Sequence, residues 1–160
     1  SIVFSQVTNN SLMDWEVIAE LPDEMGQPNK GLAGSFAGIS NDVMLIAGGA
    51  NFQNEMPWEG GKKYWSDKIY VLKRKGNKYD WHPKTFNLPH PIAYGYSITT
   101  PKGVLCIGGR DNVKTYSEVF YMKWEAVSES VIIEKLPECS LIIFETIGKP
   151  NPVPVFFVVK

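Results

Sequence analysis

The sequence predicts an all-β fold assembled from propeller blades, and three observations predict it. The first is a repeat: Ser40-Asn41-Asp42-Val43-Met44-Leu45-Ile46-Ala47-Gly48-Gly49 returns 60 residues later as Thr100-Pro101-Lys102-Gly103-Val104-Leu105-Cys106-Ile107-Gly108-Gly109. In each copy a polar turn feeds a short apolar run that stops on two glycines, the pattern of a buried strand that ends where the backbone must bend sharply. The second is that Asp67-Lys68-Ile69-Tyr70-Val71-Leu72 matches Ser117-Glu118-Val119-Phe120-Tyr121-Met122 at an offset of 50, so the earlier unit carries ten extra residues after its glycines. The third is a Leu-Pro punctuation at Leu21-Pro22, Leu88-Pro89 and Leu136-Pro137, each closing a segment that reads as an outer strand.

A period near 50 lies in the range of kelch blades, each of four antiparallel strands around a central axis. In chain order, residues 14–22 read as a lone outer strand of a neighbouring blade, with Trp15, Val17 and Ile18 as its apolar residues, and a polar connection with glycine and proline follows. Blade one occupies 33–89, with strands expected near 34–40, 43–47, 68–73 and 80–86. Blade two occupies 90–137, with strands near 94–99, 104–107, 118–123 and 131–135. Residues 138–160 read as a half blade, with strands at 140–146 and 155–159 and no glycine pair after them. The fold class is therefore a partial kelch-type β-propeller: two complete four-stranded blades, a half blade and an isolated outer strand.

At 160 residues the chain is long enough for one domain with a substantial core, yet a closed propeller needs roughly four to eight blades of about 40 to 50 residues each. An apolar edge such as 155–159 invites pairing unless covered. A homodimer would cover it: the outer strand of one copy joins the half blade of the other, and two full blades plus one three-stranded composite blade per chain make six. The alternative is a fragment or truncated product. The sequence shows no secretory leader, and a chain starting at Ser1 is expected to be a processed or trimmed form.

A formal charge of −1 and a pI near 6.1 point to no nucleic acid and no anionic membrane as partner, and no apolar run is long enough to span a bilayer. Gly61-Lys62 lacks the Ser/Thr and the upstream glycine of a phosphate loop, and there is no dinucleotide fingerprint, Gly-x-Ser-x-Gly elbow or H-E-x-x-H site. The two histidines, His82 and His90, do not make a metal centre, so no metal is expected. Cys106, inside an apolar strand, reads as a small buried hydrophobe, and a bond to Cys139 has no support from spacing.

The candidate binding segment is the insertion after the first glycine pair, residues 50–66, a long connection of the kind that carries function. In a propeller it opens on the same face as the connection between blades, which places it beside Pro89-His90-Pro91-Ile92-Ala93-Tyr94 and Arg110-Asp111-Asn112. Asn51 and Asn54 suit hydroxyls or amides, Trp58 and Tyr64 a flat apolar face, and Lys62, Lys63 and Arg110 a carboxylate, with Tyr94 as a further substrate-binding candidate from the neighbouring segment. Glu59 suits acid or base work if burial raises its pKa; otherwise it and the lysines are a solvated loop tip. Arg110, directly after a glycine pair, is the foremost of these residues. Asp67 is expected to satisfy backbone donors at a strand start, and His90, between prolines, to be structural.

The strings Gly34-Ser35-Phe36-Ala37-Gly38-Ile39-Ser40-Asn41-Asp42, Ala47-Gly48-Gly49-Ala50-Asn51-Phe52, Pro57-Trp58-Glu59-Gly60-Gly61-Lys62-Lys63, Ala93-Tyr94-Gly95 and Ile107-Gly108-Gly109 resemble the kelch-type sialic acid mutarotases, also called N-acetylneuraminate epimerases, and their cyclically permuted branch above all. The resemblance covers about Trp15 to Pro137, beyond which the strand and glycine-pair pattern is not followed. It implies a six-bladed propeller, usually periplasmic, that interconverts the α and β anomers of N-acetylneuraminate by acid/base ring opening without a cofactor. The family's catalytic glutamate and arginine belong to a blade this chain does not contain, so the catalytic residues are unknown here and Glu59 and Arg110 receive a pocket-lining role only. Three readings follow: a mutarotase-like protein active as an assembled ring, a non-catalytic carbohydrate- or protein-binding kelch module, and an inactive partial propeller.

Overall fold

The structure is a computed structural model that describes residues 16–23, 26, 28–52 and 55–138. Eleven strands run in chain order: β1 (Phe36–Ser40), β2 (Val43–Ala47), β3 (Ala50–Phe52), β4 (Lys63–Trp65), β5 (Lys68–Lys75), β6 (Lys78–Trp81), β7 (Phe86–Asn87), β8 (Tyr96–Thr100), β9 (Gly103–Ile107), β10 (Val119–Glu125) and β11 (Ser130–Leu136). The one helical piece among the described residues is a 3-10 turn at Pro57–Glu59. All strand pairings are antiparallel.

Blade one has the order β1-β2-β5-β6, with β7 also on the outer edge of β5; blade two has the order β8-β9-β10-β11. These are two four-stranded blades of a kelch-type propeller. The turn between β1 and β2 is Asn41-Asp42, with φ of 47° and 61°. Two consecutive left-handed residues make the tight hairpin whose twist matches that of its strands, and Asn and Asp are the non-glycine residues that tolerate it best.

The expected outer strand at 80–86 is broken in two. β6 pairs with β5 through Leu72↔Trp81, and β7 pairs with the same strand through Ile69↔Phe86. His82 N still donates to Val71 O at 2.8 Å, but the chain then leaves the sheet at Pro83, a residue tolerated at edges and bulges, and returns at Phe86 with the register against β5 moved by two residues. The insertion at 50–66 also departs from expectation. Among its described residues β3 pairs with β4 through Ala50↔Trp65, Asn51↔Tyr64 and Phe52↔Lys63, so the base of the connection is a two-stranded ribbon rather than a structureless loop.

The core lies between the blades. Phe36, Val43, Leu45, Ile69 and Val71 of blade one pack with Val104, Cys106, Phe120, Met122 and Trp124 of blade two, and Phe36 meets Phe120 edge-on at 5.7 Å. Cys106 is fully buried as expected, and burial pushes its thiol up to about 12. The blades approach closely at Gly38, where a Cβ would come within 2.8 Å of Val104 Cγ1, and at Gly95, where one would come within 2.5 Å of the Phe36 ring. The two inner strands are stitched by side chains. Ala37 N donates to Ser97 Oγ and Ile39 N to Thr99 Oγ1, both at 3.0 Å, and Ser97 Oγ donates back to Ala37 O at 2.9 Å. At the opposite end of β1, Trp124 N donates to Ser40 Oγ and Asn41 Nδ2 donates to Trp124 O.

Of the expected outer strand at 14–22, Asp14 and Trp15 lie outside the described residues, and 16–22 join neither sheet. Trp81 Nε1 donates to Glu20 O at 2.5 Å, a tether between that segment and blade one. The half blade at 138–160, its strand at 155–159 and Cys139 fall on residues beyond Glu138, outside the described residues. No helix among the described residues is long and apolar enough to cross a membrane.

Candidate functional site

The apolar strands β2 and β9 end on glycine pairs with left-handed backbones: Gly48 and Gly49 at φ 66° and 98°, Gly108 and Gly109 at 62° and 118°. The repeat is then reproduced bond for bond. Gly48 N donates to Lys68 O and Gly108 N to Glu118 O; Ser66 N donates to Gly49 O and Tyr116 N to Gly109 O. Ala33 pairs with Ala50 as Ala93 pairs with Arg110. At Gly48 a Cβ would come within 2.2 Å of Ile92 O, the carbonyl that also accepts from Gly49 N at 2.8 Å. Glycine is required here by close approach as well as by φ.

These bonds gather four segments on one face: 31–34, the β3–β4 ribbon, 89–94 and 110–116. Ile92 N donates to Ser66 O, and Tyr94 N donates to Gly34 O at 2.7 Å. Ser66 is fully buried, and its Oγ accepts from Lys68 N at 3.1 Å. Ser66 thus takes the strand-start role expected of Asp67, whose carboxylate instead lies 3.8 Å from Lys68 Nζ.

The candidate residues divide between two places on this face. Lys63 and Tyr94 meet: Lys63 Nζ donates to Tyr94 Oη at 3.1 Å and lies 5.1 Å from the centre of the Tyr94 ring. The same ammonium lies 5.6 Å from the Phe52 ring and 5.7 Å from that of Trp65, inside the range of cation–π attraction. Trp58 and Glu59 sit apart, in the 3-10 turn at the ribbon tip, where Trp58 is 80% exposed. Glu59 Oε2 accepts from Met56 N at 3.1 Å, which ties the carboxylate to its own turn.

Asn51 is committed to backbone. Its Nδ2 donates to Gly31 O at 2.6 Å and its Oδ1 accepts from Phe52 N at 2.7 Å, so it holds the ribbon against the 31–34 segment. Lys62 is exposed beside Gly61. Arg110 is exposed too; its backbone bridges Ala93, and its Nε donates to Asp111 O at 3.3 Å. Tyr64 lies opposite Asn51 in the ribbon, and Asn54 is outside the described residues.

Phe52 and Trp65, to which the sequence pattern assigns no role, build the surroundings of Lys63. The signal is strand alternation: Lys63 and Trp65 are two apart on β4, hence on one face, and Phe52 is the cross-strand partner of Lys63. Reading 50–66 as a loop hides that period.

A second polar cluster lies at the outer margin of the face. His90 stacks on Tyr116 with ring centres 4.2 Å apart, and its Nε2 is 3.0 Å from Glu118 Oε2. The hydrogen bond from Tyr116 Oη at 2.6 Å, then those from Lys114 N and Val113 N, pull the Asp111 carboxyl down to about 2. The same bond to Asp111 is the main cause that raises the Tyr116 phenol to about 12. This cluster holds the 110–116 turn and the entry to blade two, beside a cavity of ≈ 90 Å³ lined by Leu88, His90, Glu118, Phe120, Ile133 and Leu136, among others. Among the described residues no group of three His, Cys, Asp or Glu side chains could hold a metal ion. The face as a whole offers ammonium groups set against aromatic rings, Lys63 at Tyr94 and Lys114 at Tyr116, together with phenol hydroxyls, a set suited to an anionic ligand with a flat apolar side.

The profile of the N-acetylneuraminate epimerase family matches residues 2–132. The N-acetylneuraminate epimerase of Brucella melitensis is 36% identical over 128 residues, 73% of this chain and 32% of that protein. Those of Yersinia enterocolitica and Vibrio cholerae are each 36% identical, over 77% and 74% of this chain and 33% and 32% of their own lengths. A solved structure titled "Structure of YjhT" superposes with a TM-score of 0.55 at 29% identity, covering 72% of this chain and 33% of that one. The chain thus spans about a third of the length of the relatives it matches. With its strand-for-strand blade repeat and a family match across most of its length, the chain belongs to the N-acetylneuraminate epimerase family.

Proposed function

We propose that this chain supplies one wall of a sialic acid mutarotase-like site, acting within an assembled propeller on the α and β anomers of N-acetylneuraminate. The observation that carries this reading is the convergence of the β3–β4 ribbon, Tyr94 and the 110–116 turn on the glycine-pair face, in a chain of this family. Anomer exchange needs a group to protonate the ring oxygen and another to remove the anomeric proton. Two carboxylates of this face are poorly suited to either role: Glu59 is exposed and tied to Met56 N, and Asp111 accepts three hydrogen bonds and keeps its charge down to strongly acidic pH. A second copy of the chain is the proposed source of the remaining ring; because it repeats these two blades, the acid and base are proposed to come from residues outside the described ones. A periplasmic setting is part of the same proposal.

NMR exchange spectroscopy on N-acetylneuraminate tests it. The anomers should exchange faster with protein than in buffer of the same pH, and a rate equal to buffer would remove the mutarotase reading. The same observation about the carboxylates favours a second reading, a carbohydrate-binding kelch module without catalysis; binding without acceleration would select it.

A further inference from the structure

We propose that Lys63 and Tyr94 form a two-point receiver for the carboxylate of an acidic sugar. This rests on the reading of the face as a sugar-binding wall, and it places the acid group at the ribbon rather than at Arg110. A surface lysine usually samples many rotamers, and holding it still costs entropy. Lys63 is instead flanked by the rings of Phe52, Trp65 and Tyr94 and bonded to Tyr94 Oη. Lys68, Lys73, Lys75 and Lys123 each face a carboxylate, whereas Lys63 forms no ion pair among the described residues. The chain therefore fixes an ammonium on an exposed face and leaves its counter-ion to be supplied.

Tyr94 is held as firmly. It is a non-glycine residue at φ 61°, a conformation that persists only when its surroundings impose it. Tyr94 N donates to Gly34 O, a Cβ on Gly34 would come within 2.4 Å of the Tyr94 ring, and Trp65 meets that ring edge-on at 5.7 Å. Proton placement completes the receiver. Because Lys63 donates to Tyr94 Oη, the phenol oxygen acts as acceptor in that bond and its own proton points elsewhere. The ammonium keeps two further N–H groups. A carboxylate set against the pair takes one oxygen from Nζ–H and the other from Oη–H, a charge-assisted, two-point contact, while the three rings present apolar surface to the rest of the sugar. Arg110 lacks this preparation, since its Nε is turned onto Asp111 O.

Isothermal titration calorimetry with N-acetylneuraminate, its methyl ester and glucuronate, on the whole chain and on Lys63→Met and Tyr94→Phe, tests the inference. The acid should bind about 10- to 100-fold more weakly to Lys63→Met and several-fold more weakly to Tyr94→Phe. On the unaltered protein the ester should bind about as weakly as the acid does to Lys63→Met, a comparison that needs no variant to fold. Acid binding unchanged in Lys63→Met, or acid and ester bound equally by the unaltered protein, overturns the receiver and leaves the sialic acid reading standing. Lys63-dependent binding of glucuronate without binding of N-acetylneuraminate upholds the receiver and removes the sialic acid reading. No binding of either acid overturns both.

Discussion

At the residue scale, the glycine pairs and Tyr94 show how a backbone requirement becomes a sequence signature. Gly48 must be left-handed and must let Ile92 O approach to the distance of a hydrogen bond with Gly49 N. Gly48→Ala meets both obstacles, so it should destabilise the protein by about 2 kcal/mol. Urea unfolding is the check, and a midpoint unchanged from that of the unaltered protein would contradict it. The glycine pairs were legible because no other residue serves there. The strain at Tyr94 was not, since nothing in Ala-Tyr-Gly announces which residue takes positive φ. Asn51 illustrates the converse: an amide reads equally well as a ligand for sugar hydroxyls or as a backbone clamp, and two hydrogen bonds at 2.6 and 2.7 Å place it in the second role.

Among the elements, the strands of both blades were legible to within about two residues, because their apolar runs are bounded by turns with a stated chemistry. Two elements were not. The outer strand of blade one is split at Pro83, where two extra residues interrupt a register that the apolar pattern alone would continue. The ribbon β3–β4 has three residues a side, too few for period-2 alternation to stand out among Gly, Pro and Lys. The stitching of β8 to β1 belongs to this scale too. Ser97 and Thr99 replace the neighbouring strand that the inner edge of β1 lacks, so the double variant Ser97→Ala/Thr99→Val leaves two edge N–H groups to water. Hydrogen exchange at Ala37 and Ile39 should then quicken by about fivefold, corresponding to the roughly 1 kcal/mol of an ordinary hydrogen bond. Unchanged protection at both amides would mean that the stitch contributes nothing to holding the blades together.

At the scale of the whole molecule, the described residues form two blades that share one core and expose apolar side chains on their outward faces: Ile39 on the inner strand of blade one is 53% exposed, and Tyr96 and Ile98 on that of blade two are 67% and 53% exposed. In a closed ring such surfaces are covered by the next blade. The proposed function therefore depends on assembly, because the described residues supply a binding wall and no well-placed acid or base. Size-exclusion chromatography with light scattering, each fraction assayed for anomer exchange of N-acetylneuraminate, joins mass and activity in one measurement. The account predicts that exchange faster than buffer coelutes with a species of twice the 18.0 kDa chain mass; a monomer peak, or a dimer peak with no acceleration, would contradict it.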